Sequence, residues 1–161
     1  HMGISTVVGH FDKFSGSFSF DEKNIADAKA QASVNAESIN TSNTKRDDHL
    51  RSPEFLNVAK APQINFQTKQ VKNVTGKTFA VDGDLTINGV TKPVTLNVEF
   101  GGSAVDPWGN ERVAFSATTS VNRKDFGIVW NKVLEAGGLL VGEDVKISLE
   151  VEGIKKKEGG A

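Results

Sequence analysis

Apolar and polar residues alternate in twos over most of this chain, and a period of two is the mark of a strand with one buried face. Phe14, Gly16, Phe18 and Phe20 fall on one side, with Ser15, Ser17 and Ser19 on the other. The parity slips between Val8 and Phe14, which predicts a bulge or tight turn near Asp12-Lys13. From Ala28 to Ile39, Ala28, Ala30, Ala32, Val34 and Ala36 alternate with Lys29, Gln31, Ser33, Asn35 and Glu37, so one strand has an inner face of small side chains. Alanine is a poor strand former, and its repetition there points to a need for room.

One stretch breaks the alternation. Thr44 to Pro62 reads as helical, capped by Asn43 or Thr44, with Asp47 and Arg51 on one face at i, i+4. Ser52-Pro53 ends that turn and starts a second, with Ser52 as its cap. Leu50, Phe55, Leu56 and Val58 give the insert an apolar side that must cover an end or flank of the strands.

Strand patterning resumes at Ile64, Phe66 and Thr68 and continues through Phe79, Val81, Leu85 and Ile87 to Asn88-Gly89, a strong two-residue hairpin signal. Val94, Leu96, Val98 and Phe100 lie on the return strand, and Gly101-Gly102 and Asp106-Pro107-Trp108-Gly109 are read as loop. Val113 to Val121 and Val145 to Val151 supply the last two alternating runs. Seven or eight antiparallel strands with one greasy face each must stack as two sheets or close on themselves. Phenylalanine facing alanine favours a closed barrel with a slot inside, and the cysteine–tryptophan–cysteine spacing of an immunoglobulin-like sandwich is absent.

Composition narrows the function classes. The chain has 161 residues, 37% of them hydrophobic, enough for one domain with a real core. Residues 1–154 are expected to form that domain and residues 155–161 a polar tail, so the Lys155-Lys156-Lys157 run is read as solvated. A net charge of −1 with mixed signs gives no electrostatic footprint for nucleic acid. No cysteine is present, which removes disulfides and thiol chemistry. No stretch reads as a transmembrane segment or a signal peptide.

Candidate chemistry is sparse. The three histidines, His1, His10 and His49, show no metal-ligand spacing. No GxSxG elbow or phosphate loop occurs, so neither catalysis nor a cofactor is expected. Arg46 and His49 lie three apart on the helix, where they either hold a polar ligand head at the barrel mouth or serve as ordinary helix residues. Arg123, Lys124 and Asp125 read as a turn-stabilising cluster. Trp108, in its DPWG turn, reads as a packing plug, and Trp130 as either plug or rim.

Five runs carry a family resemblance: TVVGHFDKFSGSFSFDE, KRDDHLRSPEFLNVAKAPQINF, GDLTINGVTKPVTL, DPWGNERVAFSATTSVNRKDFGI and NKVLEAGGLLVGEDVKISLEVEG. Together, in order and over nearly the whole chain, they resemble the YceI family of bacterial lipid-binding proteins. The resemblance implies an all-β fold: an antiparallel eight-stranded lipocalin-like barrel with a short helical insert. It also implies a tunnel for a polyisoprenoid or similar amphiphile, and a periplasmic or secreted home. Members usually begin with a further strand ahead of the stretch that starts here at His1-Met2-Gly3-Ile4, so the first strand is absent from this sequence. His1-Met2 reads either as a cloning scar or as the family's His–apolar–Gly.

The expected ligand lining is Phe18, Phe20, Ala30, Ala32, Val34, Ala36, Phe66 and Phe115, with Arg46 and His49 at the mouth. The expected function is to bind and carry or store a long-chain lipid: a polyisoprenoid, an isoprenoid quinone or a fatty-acid-like molecule. An enzyme acting on such a lipid and a packed-core interaction module are the alternatives. An unpaired edge beside Ile4 to Phe11 leads to the expectation of a homodimer with Thr6 to Phe20 near its interface.

Overall fold

In a computed structural model that describes residues 1–156, the chain folds as antiparallel strands around one short helix. In order these are β1 (His10–Phe11), β2 (Phe14–Ser19), β3 (Lys29–Asn35), β4 (Ile39–Asn40), α1 (Thr44–Arg51), β5 (Gln63–Thr75), β6 (Thr78–Ile87), β7 (Val90–Val105), β8 (Glu111–Asn122) and β9 (Asp144–Ile154). β1 pairs only with β4, and the other strands form a seven-stranded sheet in the order β2-β3-β5-β6-β7-β8-β9.

That sheet curls into a nearly closed barrel. Its seven strands alternate in direction, so the two edge strands, β2 and β9, run the same way. An antiparallel join between them would take one more strand, which is how the expected eight strands become seven here. The edges approach near the ends of β2 and β9, where the Phe18 ring lies over Gly153 and Ser103 Oγ donates to Glu22 at 3.3 Å.

Local chemistry accounts for the connections. Asn88 and Gly89 have φ of 53° and 70°, the left-handed pair that a type I′ hairpin requires. Gly101-Gly102 is not a loop but a bulge in β7: the register slips between Phe100 and Gly102, and Gly102 takes φ 126°. The slip foreseen near Asp12-Lys13 is the break at which the chain leaves β1 and enters β2.

Other expectations change. The alanine strand stops at Asn35, whose side chain accepts from Glu37 N–H, and Ala36 lies buried in the following 3-10 turn, its N–H donating to Pro62 O. α1 is capped by Asn43 as expected, but residues 52–61 make turns and no second helix. Arg51 pairs with Asp48 instead of Asp47, because Asp47 is buried and accepts from Thr41.

Two apolar clusters build the core. At the helix end, Phe55 joins Leu85, Val121, Phe126 and Ile128, with Leu50, Leu56 and Trp130 packed against them. At the other end, Phe79, Val81 and Phe100 are joined by Phe20 and Phe115. Phe66 touches both clusters, and its ring lies where a Gly83 side chain would stand.

Candidate functional site

Strand register assigns the inner face residue by residue, because directly opposed residues share a side of the sheet. One row runs Gly16, Ala32, Phe66 and Leu85, and the next runs Phe18 and Ala30 on β2 and β3. On the far wall Val113, Phe115, Ala117, Thr119 and Val121 oppose Gly153, Val151, Leu149, Ile147 and Val145.

These positions are apolar, glycine or threonine, apart from Ser103 opposite Val113 near one end, whose hydroxyl donates to Glu22. Both threonine hydroxyls are committed to backbone: Thr68 Oγ1 accepts from Ala30 N–H at 3.0 Å, and Thr119 Oγ1 donates to Thr95 O at 2.9 Å. Charged side chains of this parity stand only at the ends: Lys92 opposite Leu85, and Glu111 and Lys155 where β8 meets the end of β9. The interior is therefore an uncharged surface.

Its two halves are filled differently. On β5 to β8, Phe79, Val81, Leu85 and Phe100 are buried in the clusters. On the side formed by β9, β2 and β3, none of Ala30, Ala32, Val34, Leu149 or Val151 belongs to either cluster. Val145 and Val151 face inward yet remain 42% and 37% exposed, values that a filled core would not leave. The candidate site is this slot along β9, β2 and β3. Phe18 stands edge-on to Phe115 at 5.2 Å, and Phe20 to Phe115 at 4.8 Å, making an aromatic end wall.

The residues singled out from sequence divide accordingly. Ala30, Ala32 and Val34 line the slot wall, Phe18 and Phe115 stand at its aromatic end, and Phe20 lies just beyond β2 in the same cluster. Phe66 belongs to the filled half, and Ala36 lies off the strand. Arg46 and His49 do not converge on the slot. Arg46 Nε donates to Thr41 Oγ1 at 2.8 Å and its Nη2 to Thr41 O at 2.8 Å. His49 bonds Glu54 and sits edge-on to Phe55 and Trp130 at 4.9 and 4.6 Å.

Asp47 completes the anchoring of α1. The Thr41 hydroxyl and N–H hold its carboxyl below the usual range although burial pushes the other way. Arg123, buried, donates to the carbonyls of Ile128, Trp130 and Gly142 at 2.8, 2.9 and 2.7 Å, which pins the loop between β8 and β9. Burial depresses its pKa, and the Glu143 charge counters only part of that. Trp108 is no plug: it is exposed at a turn tip. Val145, Leu149 and Val151 were missed as slot residues, since alternation marks an inner face but not whether the space before it is filled.

Two concavities of about 380 and 350 Å³ lie on the protein's surface, one on the outer face of β6 to β8 among Thr78, Asn97 and Ser116, the other between Asp12, Asn43 and Arg51. Among the described residues no cluster of His, Asp or Glu is arranged to hold a metal, and no helix is long and apolar enough to cross a membrane.

A nearly closed antiparallel barrel whose inner face is uncharged between its ends is consistent with a binding protein. The chain belongs to the YceI-like domain family, whose sequence model matches residues 1–153. Similar relatives include a UPF0312 protein of Enterobacter sp. strain 638, 43% identical over 157 residues, and one of Yersinia enterocolitica, 44% identical over 158 residues. Each alignment covers 98% of this chain and 78% of the relative, and neither name states an activity. Among solved structures, a Campylobacter jejuni YceI protein aligns with TM-score 0.82 and 29% identity over 98% of this chain and 90% of its own. Burkholderia cenocepacia BcnA shares the fold, with TM-score 0.78 and 21% identity over 90% of this chain and 86% of its own.

Proposed function

We propose that this protein binds a single long-chain amphiphilic lipid, of polyisoprenoid, isoprenoid-quinone or fatty-acid type, and carries or stores it with the chain in the β9-β2-β3 slot. The observation that carries the reading is the pair Val145 and Val151, inward-facing but accessible, beside a wall of alanines without a charged group. Each methylene held out of water contributes about 0.8 kcal/mol, so a buried chain recovers in the slot roughly what it gives up on leaving a micelle. Smaller side chains on one wall than on the other suit a chain laid along that wall.

Binding is favoured over chemistry on the same lipid because, between its ends, the inner face offers no acid, base or free hydroxyl to a bound chain. A packed-core module is disfavoured by the accessible valines. Titration with a fluorescent polyprenol and with a fluorescent sixteen-carbon fatty acid (roughly the chain length whose burial suffices) tests the reading. It predicts saturable binding of at least one near equimolar stoichiometry, and no saturable binding of either would refute it.

The reading extends to a homodimer with Thr6 to Phe20 near its interface, built on the unpaired β2 edge, where Phe14 is exposed. Light scattering over a concentration series checks this, and a strict monomer at the highest concentration rules it out. A periplasmic or secreted home follows from the family resemblance, and fractionation of the native host that finds the protein in the cytoplasm would overturn it.

A further inference from the structure

The β5–β6 turn ends level with Phe100, whose N–H donates to Lys77 O, but β7 and β8 continue to Val105 and Glu111, accompanied by β9 to Ile154. Four further residue steps along β8, at about 3.4 Å each, make a three-stranded tongue projecting some 14 Å past that turn. Trp108, at its tip, is 79% exposed, and Val105 and Ile154, which the register puts on opposite faces of the tongue, are exposed as well.

The tip is held rigidly. The Asp106 carboxylate, itself nearly buried, accepts from Trp108 N–H at 3.0 Å, Asn110 N–H at 2.9 Å and Arg112 Nε at 2.7 Å. Burial alone would raise its pKa, but those bonds from Asn110, Arg112 and Trp108 hold it far below the ordinary carboxylate range. Gly109 supplies the positive φ, 84°, that closes the turn. The indole is thus presented to solvent by a preorganised mount.

We propose that this tongue docks the protein on a lipid bilayer, with Trp108 seated in the interfacial layer. The inference rests on the carrier reading, since a protein that takes up a membrane lipid must meet the surface the lipid leaves. Tryptophan with small aliphatic neighbours and a lysine is the chemistry of that layer, apolar in body and polar at the edge. The charges set no barrier: Arg112, Lys155 and Lys156 balance Asp106, Glu111 and Glu152 among the described residues of the tip, so it meets a headgroup layer as a neutral surface. The size agrees. One indole and two aliphatic side chains offer a few hundred Å², well short of the roughly 800 Å² per partner of a stable protein interface.

The test is co-flotation of the full chain with vesicles of phosphatidylcholine containing a minority of phosphatidylglycerol, alongside native mass spectrometry of the same samples. Wild type should float, Trp108→Ala should lose roughly tenfold in partitioning, and Trp108→Phe should retain most of it. All three should share one thermal midpoint, because the indole packs on nothing. Equal flotation of wild type and Trp108→Ala, no flotation of wild type, or a Trp108-dependent protein complex in place of flotation would each overturn the proposal. A carried lipid without Trp108-dependent flotation refutes docking alone. Trp108-dependent flotation by a protein that never holds a lipid supports docking and refutes the carrier reading.

Discussion

The two halves of the barrel obey one alternation rule and end in different states. Along β5 to β8, inner-face residues interlock with Phe55, Phe126 and Ile128 from outside the sheet and are buried. Along β9, β2 and β3 the same period of two yields alanines and accessible valines. Alternation decides which way a side chain points, and the sizes of its neighbours decide whether anything meets it there. The filled half packs the core, and the other half leaves apolar surface accessible.

Large-to-small substitutions should separate the halves. Phe126→Ala, in the filled half, should cost about 3–5 kcal/mol in chemical denaturation, since its ring is buried at 2% exposure. Val151→Ala, in the slot, should cost less than about 1 kcal/mol, because the deleted methyls already face space. Equal losses would erase the distinction.

Gly83→Ala comes next in size. The added methyl would collide with the Phe66 ring and the Gln67 carbonyl oxygen, so about 1–3 kcal/mol of destabilisation is expected by thermal unfolding. A neutral result would show that Phe66 moves freely toward the slot.

A smaller effect concerns the attachment of α1 to the filled half. Asp47 has its folded pKa depressed below the ordinary 3.8, chiefly by the Thr41 hydroxyl, so its contribution is present above that value and lost as pH falls through the folded one. Amide exchange in α1 should therefore stay slow from neutral pH down to 3.8 and quicken only below it. Thr41→Val should move the onset upward. Loss of protection above about pH 5 in the wild type would place the clasp elsewhere.

Much of this was legible beforehand. Strand alternation, the Asn88-Gly89 hairpin, the Asn43 cap and the aromatic-against-alanine contrast are local signals, read within a few residues. What stayed hidden depends on distant partners. Asp47 turns to Thr41 and not to Arg51 because the chain before α1 folds back over it. Arg123 reads as a turn residue, but its guanidinium reaches carbonyls up to nineteen positions away. Gly101-Gly102 looked like a loop because a bulge and a turn call for the same residue. The share of β9 in the slot was not legible, because Val145, Leu149 and Val151 alternate as regularly as the buried residues of β6 and β8.

The central claim, that the β9-β2-β3 side holds a lipid chain, is tested most directly by native mass spectrometry of wild type and Ala32→Phe, both purified without organic solvent. Ala32 pairs with Gly16 on one side and Phe66 on the other, so a phenylalanine there would occupy the slot while the filled half keeps the fold. The account predicts a lipid-sized mass on the wild type and none on the folded variant. Equal lipid occupancy in both, or a wild type that never carries a lipid, would contradict it.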